Sequence, residues 1–146
     1  MSEFIIRQYD VTDRDDVIEL WRQCGLVVPQ NDPGRDIERK LKVNPEWFLI
    51  GLLNGKIIAS CMAGYEGHRG WINYLAVSPG YRRRGFATRL IRETERLLHR
   101  AGCPKINLQV RASNSSVIAF YETIGYSIDD VVSMGKRLDQ DRWLPE

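Results

Sequence analysis

The segment LAVSPGYRRRGFA, residues 75–87, joins an apolar strand to a long amphipathic helix through a turn that contains three consecutive arginines. Gly85 follows these arginines at the point where the helical period begins. The start of a helix presents unpaired backbone N–H groups and a partial positive charge, and arginine side chains suit phosphate oxygens. The segment therefore predicts a pyrophosphate-binding turn. Charge alone leaves one alternative open, which is an exposed basic turn whose arginines are merely solvated.

The rest of the chain predicts strands and helices arranged around this segment. Asn54-Gly55 between two apolar runs is typical of a type I′ hairpin turn, and apolar residues recur at helical spacing over 85–101 and 114–124. A first helix is expected to begin at Thr12 or Asp13, and a second is expected over 36–41. The predicted order is β-α-α-β-β-β-α-β-α-β, with one further strand allowed within 126–138.

This order predicts the fold class. Consecutive hairpins imply antiparallel pairing, while strand-helix-strand units imply parallel pairing. We therefore predict an α/β fold of the α+β kind, in which helices flank a mixed central β-sheet. A chain of 146 residues is long enough to bury one core, and we predict a single domain over residues 1–146.

Composition limits the partners and the compartment. The net charge of +2 gives no overall field that would favour nucleic acid or a membrane surface, so neither partner is expected. The three cysteines are far apart and odd in number, which favours reduced thiols over a disulfide framework or a zinc site, and no metal is expected. No apolar run suits a signal peptide or a membrane span, so the predicted location is cytoplasmic.

Two segments carry a resemblance to a known family. The stretch Arg82-Arg83-Arg84-Gly85-Phe86-Ala87 resembles the [Q/R]-x-x-G-x-[G/A] signature of the GNAT superfamily of N-acetyltransferases. Downstream, NSSVIAFYETIGY at 114–126 resembles that family's N-x-x-x-x-x-[FL]-Y-x-x-x-G-[FY] segment. The P-loop and dinucleotide-binding glycine motifs are absent from the sequence. The chain is thus similar to a small bacterial-type acetyltransferase with the GNAT fold.

The resemblance implies an activity and its substrates. It implies an acetyl-CoA-dependent N-acetyltransferase, in which a primary amine attacks the acetyl group directly. A non-catalytic acetyl-CoA-binding or regulatory module of the same fold is the alternative. The implied acceptor is a small-molecule or peptide amine, and exposed edge strands near the C-terminal end would allow a homodimer.

The resemblance also assigns residues to the donor site. Tyr121 matches the general acid that protonates the departing thiolate, although its spacing also suits a core aromatic residue. Asn114 matches a cofactor contact, and a simple helix N-cap is the equally good alternative. The cofactor-binding residues that it implies are Leu75, Ala76, Val77, Arg82, Arg83, Arg84, Gly85, Phe86, Ala87, Thr88, Asn114 and Tyr121.

The general base is the point where the sequence departs from the family. Gln109 stands where related enzymes that acetylate protein N-termini usually carry Glu, and an amide cannot accept the amine proton. No carboxylate occurs on the predicted fourth strand before Leu75. Glu66 or His68, in the loop before that strand, are the nearest titratable candidates for the base.

Overall fold

A mixed sheet of five strands forms the centre of the computed structural model, which describes residues 3–139. Its strands run in the order β1-β2-β3-β4-β5, with antiparallel pairing up to β4 and parallel pairing between β4 and β5. The strands are β1 (Phe4–Gln8), β2 (Phe48–Leu53), β3 (Lys56–Tyr65), β4 (Gly70–Val77) and β5 (Ile106–Leu108). The helices are α1 (Arg14–Gln23), α2 (Pro33–Lys40), α3 (Phe86–Arg100) and α4 (Ser115–Thr123). The predicted fold class is confirmed.

The two faces of the sheet bury separate cores. On one face, Val17, Leu20 and Trp21 of α1 and Ile37 of α2 pack on strand residues such as Ile50. On the other face, α3 and α4 pack through a set that includes Leu90, Ile91 and Tyr121. The sheet therefore separates an α1/α2 side from an α3/α4 side.

The hairpin between β2 and β3 follows the sequence closely. Asn54 and Gly55 have φ angles of 52° and 76°, as a type I′ turn requires. Gly51 on β2 lies at a register irregularity, and an ideal Cβ built on it would be 2.6 Å from Phe4 Cε1 and 3.2 Å from Ala59 Cβ. The Phe4 ring is buried and stacks on Phe86 at 4.4 Å, so it has little room to move.

A β-bulge interrupts β4. Met62 and Ser60 of β3 pair with Asn73 and Ala76 of β4, so two residues of β4 lie opposite the single residue Cys61. The extra residue changes which side chains share a face. Ile72, Leu75 and Val77 belong with the α3/α4 core, whereas Tyr74 and Ala76 belong with the α1/α2 core.

Of the two helix starts near the N-terminus, the first agrees with the prediction, because Asp13 is the N-cap residue of α1. The side-chain capping bonds belong to the 3-10 turn just before it, Val11–Asp13, where the Asp10 carboxylate accepts the Thr12 N–H at 3.0 Å and Asp13 accepts the Asp10 N–H at 2.8 Å. Helix α2 begins at Pro33 instead of residue 36 because Asp32 caps it by accepting the Arg35 N–H.

The predicted C-terminal strands are the one wrong part of the element order. Residues 126–139, the last that the structure describes, contain no strand. Side chains attach this tail to β5: Asp129 accepts from Lys105 and Asn107 at 3.0 and 2.7 Å. Without backbone ladder bonds, the apolar side chains Ile128, Val131, Val132, Met134 and Leu138 are exposed.

We expect Gly51→Ala to destabilise the protein because the added methyl group would push the Phe4 ring off Phe86. Overpacking of this kind lowers the free energy of unfolding by about 1–3 kcal/mol. Urea unfolding followed by circular dichroism measures the change. Gly64→Ala on β3 is the matched control, since no atom lies within 4 Å of the position that its new methyl group would take. Equal stabilities for the two variants would contradict this account of the β2 packing.

Candidate active site

A cleft opens between β4 and β5. The two strands pair only from Gly70 to Ile72 on β4, whereas β4 continues to Val77. The Ser78 N–H donates to Ile58 of β3 at 2.8 Å, so strand alternation turns the backbone groups of Val77 and Leu75 away from β3 and into this cleft. Ala76 pairs with Ser60, so its backbone groups face β3 instead. Of the three predicted strand residues, two face the cleft.

The arginine turn follows directly from the open edge of β4. Arg83 and Gly85 both adopt left-handed conformations, with φ angles of 63° and 82°, and residues 82–85 are exposed. Gly85 is the N-cap of α3 and supplies no side-chain hydrogen bond, so the first N–H groups of this helix have no side-chain cap. A turn with two left-handed residues before an uncapped helix is a suitable anion site.

Two of the three arginines, Arg82 and Arg84, make different contacts. Arg82 Nε donates to the Val77 carbonyl at 2.9 Å and so fastens the turn to the end of β4. The Arg84 guanidinium lies over the Phe86 ring at 5.2 Å, and Phe86 itself is buried against Phe4. The Phe86 ring therefore anchors the start of α3 in the core. The backbone N–H is the group of Phe86 that could contact a ligand at the turn.

Helix α4 brings the second predicted segment to the cleft. Asn114 Oδ1 accepts the Val117 N–H at 3.4 Å, so its role as an N-cap is present, and its Nδ2 group makes no hydrogen bond within the described residues. Tyr121 is only 8% exposed and packs with Phe120 and Tyr126. Both predicted interpretations of Asn114 are thus compatible with one conformation.

The Tyr121 hydroxyl is accessible to solvent, whereas the Tyr121 ring is buried. It makes no hydrogen bond within the described part of the chain, yet no buried side-chain polar atom there lacks a partner, so the hydroxyl reaches a solvent-accessible surface. Burial, with the nearby Cys61 thiol, raises the pKa of Tyr121. The phenol therefore stays protonated at neutral pH, but it is also a weaker acid than a free tyrosine.

The residues considered for the base lie in different places. Gln109 donates to Ser133 Oγ at 2.5 Å, so its amide holds the C-terminal tail. Glu66 and His68 lie in the exposed loop before β4, where the Glu66 carboxylate accepts the backbone N–H groups of His68 and Arg69. These bonds lower the pKa of Glu66. Gly70 pairs with Tyr65 and the bulge lies opposite Cys61, so four residue steps of β3, or roughly 13 Å at about 3.3 Å per residue, separate the end of this loop from the bulge.

The sequence analysis missed a network at the bulge itself. Tyr74 has a φ angle of 51°, and its hydroxyl donates to Asp36 Oδ2 at 2.5 Å. The ring stacks on Trp21 with 3.9 Å between centroids. Trp21 Nε1 donates to Ser60 Oγ, and Ser60 Oγ donates to the Tyr74 carbonyl, both at 2.8 Å. Burial and the neighbouring Asp36 carboxylate raise the pKa of Tyr74.

None of the three cysteines has the environment of a nucleophile. Burial raises the pKa of the Cys61 thiol to about 11. Cys103 is also buried, and Cys24 donates its thiol to the Val77 carbonyl at 3.4 Å. Among residues 3–139, no three His, Cys, Asp or Glu side chains are grouped as a metal site requires. No helix in the described part of the chain is long and apolar enough to cross a membrane.

The cleft, the uncapped helix and the two sequence segments define a class of enzyme, the GNAT acetyltransferases. Residues 14–126 match the acetyltransferase (GNAT) family, and the chain belongs to this family. It is an N-acetyltransferase by family. An acetyltransferase of Yersinia pestis (strain Pestoides F) is 49% identical over 137 residues, which cover 94% of this chain and 97% of that protein. One of Pectobacterium atrosepticum is 48% identical over 137 residues, with the same coverage.

Solved structures share the fold at low sequence identity. An aminoglycoside N-acetyltransferase, AAC(6′)-Iy in complex with CoA, has a TM-score of 0.77 at 20% identity and covers 95% of this chain and 97% of its own. Ard1 from Thermoplasma volcanium has a TM-score of 0.74 at 20% identity, with coverages of 86% and 84%. The ribosomal-protein-S18-alanine N-acetyltransferase from Escherichia coli has a TM-score of 0.68 at 23% identity, with coverages of 84% and 77%.

We expect the native protein to resist alkylation at Cys61. At pH 8 a thiol with a pKa of about 11 is a thiolate in only about one molecule in a thousand, and this side chain has no exposed surface. Iodoacetamide treatment followed by peptide mass spectrometry should modify Cys24 before Cys61. The denatured chain, in which all three cysteines react, is the control. Rapid native labelling of Cys61 would contradict the buried placement.

Proposed function

We propose that this chain is an acetyl-CoA-dependent N-acetyltransferase in which a primary amine attacks the acetyl group directly. One observation carries the proposal: the open edge of β4 is followed, after the short connection 78–85, by the uncapped N-terminus of α3. A ligand with an amide-containing arm and a pyrophosphate needs both features next to each other. CoA has that form, and the structural neighbour AAC(6′)-Iy was solved with it.

The residues of the chain fit such a donor. The inward-facing backbone groups of Leu75 and Val77 are suited to pair with the pantetheine amides. The N–H groups between Arg82 and Thr88 are suited to hold the pyrophosphate, with the arginine side chains adding charge. Asn114 Nδ2 is the group of α4 that could bind the donor while Oδ1 caps the helix.

Two groups of the chain are assigned to the transfer itself. Acetyl-CoA supplies the activated acetyl group as a thioester. The Leu75 N–H, which faces the cleft at the bulge, polarises the acetyl oxygen. Tyr121 gives its proton to the departing sulfur. Because the phenol is the weaker acid, this transfer has to be coupled to cleavage of the C–S bond.

The acceptor part of the proposal is a small-molecule or peptide amine. Structural neighbours include enzymes named for aminoglycosides and for a protein alanine N-terminus. At pH 7 a lysine amine is deprotonated in only about one molecule in 2,500, whereas an α-amine is deprotonated in roughly a tenth. Weakly basic amines are therefore the easier acceptors. A cytoplasmic location, a homodimer and the absence of nucleic-acid partners stay predictions.

The base is not assigned to Glu66 or His68 in this proposal. Both lie at the far end of β4 from Leu75, and Glu66 already accepts two backbone N–H groups. Gln109 has no proton-accepting group of suitable basicity. The proton of the amine therefore leaves by another route.

We expect Gly85→Ala to weaken CoA binding about 5- to 10-fold, because left-handed backbone costs an L-residue ~1–2 kcal/mol and the turn should relax away from it. Isothermal titration with CoA measures the change. Gly25→Ala is the matched control: Gly25 has a φ angle of 72° and an equally open surrounding but lies at the end of α1. The prediction fails if both variants bind CoA as the wild type does.

We expect Tyr121→Phe to lower kcat about 10- to 100-fold while leaving the dissociation constant of CoA nearly unchanged, since general acid catalysis by a positioned group contributes at this scale. CoA release with an amine panel gives kcat. Tyr65→Phe, which removes a hydroxyl bonded to Gly67 and Gly102, is the control. A wild-type protein that binds CoA but releases none with any amine would support the non-catalytic alternative.

A further inference from the structure

Tyr74 connects the candidate reaction centre with the α1/α2 side of the sheet. It is the extra residue of the bulge, and it directly precedes Leu75, whose backbone faces the cleft. Its side chain packs with the α1/α2 core, on the opposite side of the sheet from Tyr121. With the donor on the α3/α4 side, the other side of the cleft is the one left for an acceptor. Tyr74 is the one titratable side chain of β4, and it lies on this side of the sheet.

Besides its bond to Asp36, two contacts fix the position of Tyr74. The fully buried Trp21 stacks on its ring, and Ser60 bonds both Trp21 and the Tyr74 carbonyl. A tyrosine with a φ angle of 51° is unusual, and such strained residues persist where the surroundings over-determine them. These contacts therefore orient the ring of Tyr74 and, with it, the hydroxyl.

Asp36 gives this hydroxyl a proton acceptor that reaches water. The Tyr74 hydroxyl donates to Asp36 Oδ2 at 2.5 Å, and the Asp36 side chain is 29% exposed. Since the hydroxyl hydrogen points to Asp36, the lone pairs of the phenol oxygen remain able to accept a hydrogen from another donor. The pair thus links the phenol oxygen of the residue before Leu75 to a solvent-accessible carboxylate, which is what a two-step proton path requires.

The charged groups around this pair come mostly from α2. Asp32 caps the helix and adds negative charge near Tyr74. Arg39 lies 3.5 Å from Asp36 Oδ1, and Lys40 donates to the Ala63 carbonyl of β3. From α1, the Arg14 guanidinium lies against Gly34 beside Asp32. Asp36 therefore has both acidic and basic neighbours, and its carboxylate accepts a hydrogen bond from the Tyr74 hydroxyl.

We propose that Tyr74 and Asp36 remove the proton of the acceptor amine. As the C–N bond forms, the amine N–H bond breaks and its proton passes to the phenol oxygen of Tyr74. At the same time the phenol O–H bond breaks and that proton passes to Asp36, which releases it to water. Tyr74 is neutral before and after the transfer, and no other reactant is needed. Tyr74 is the catalytic residue, and Asp36 is a positioning residue that acts through it. This inference rests on the proposed function.

A purely structural role of the same pair makes different predictions. A bond between a half-buried tyrosine and a helix carboxylate also joins α2 to the sheet. If the role were only structural, loss of this bond would lower the stability of the protein and would reduce the activity by the same factor at every pH. Loss of a proton path would instead reduce the rate most at low pH, because hydroxide and water replace the missing acceptor as the pH rises.

The test compares Tyr74→Phe, Asp36→Asn and Asp36→Glu with the wild type. Phenylalanine keeps the stack on Trp21, and glutamate keeps the carboxylate. Tyr65→Phe and Asp16→Asn, an exposed residue of α1, are the matched controls. CoA release is followed from pH 6 to 9.5 with an aminoglycoside, a polyamine and a short peptide that has a free α-amine. The CoA dissociation constant and the thermal unfolding midpoint are measured for each variant.

We expect kcat to fall about 100-fold at pH 7 in Tyr74→Phe and Asp36→Asn, and the deficit to narrow as the pH rises. Asp36→Glu should recover part of the rate, and CoA affinity should stay within about twofold. Unchanged rates, or equal losses at every pH, would overturn the proton path while leaving the acetyltransferase proposal intact. A wild type that acetylates none of the amines would overturn both.

A second readout needs no acetyl-CoA. In protein labelled with ¹³C at tyrosine Cζ, the Tyr74 resonance is assigned by its loss in Tyr74→Phe. We expect it to begin titrating at lower pH in Asp36→Asn than in the wild type, because the neighbouring negative charge that raises the pKa of Tyr74 is then absent. The same titration in both proteins would mean that the two groups are not coupled, and the proposed path would fail.

Discussion

The bulge in β4 is the constraint on which the rest of the site depends. Strand side chains alternate with a period of two, so one extra residue moves every later side chain to the other face. Leu75 and Val77 therefore join the α3/α4 core that Ile72 already occupies, while Tyr74 turns toward Trp21. Past Ile72, β4 has no pairing with β5. A single inserted residue thus places Leu75 and Tyr74 on opposite faces of the sheet, next to the point where β5 ends and the edge of β4 becomes open.

Local chemistry explains which parts of the structure the sequence could predict. Asn54-Gly55 specifies a hairpin turn by itself, and Gly85 marks the start of α3 because it adopts a left-handed conformation. Asn114 caps α4 as its position before an apolar period indicates. Asp32 before Pro33 was an equally local signal for the start of α2, so that boundary was also within reach of the sequence.

The features that the sequence did not predict correctly, the bulge and the strandless tail, depend on contacts between distant segments. The residues next to Tyr74 are not of the types that favour a turn, so the local sequence does not predict the bulge. Asp36, the hydrogen-bond partner of Tyr74, is 38 residues away in the sequence. The apolar residues of the tail predict a strand, but a strand forms only when its backbone pairs with that of a neighbouring strand. Here only side chains, such as Asp129 with Asn107, attach the tail to β5.

Gln109 determines which kind of side chain stands on the β5 side of the cleft. Its amide bonds Ser133 and so joins β5 to the tail, and it carries no charge that could attract the amine proton. A carboxylate there would provide a proton acceptor on the β5 side of the cleft. With an amide in that place, the carboxylate that the bulge contacts is Asp36, held by a tyrosine next to Leu75. Under the proposed proton path, an amide on the β5 side and a carboxylate on α2 are consistent with each other, because a single transfer needs only one path for its proton.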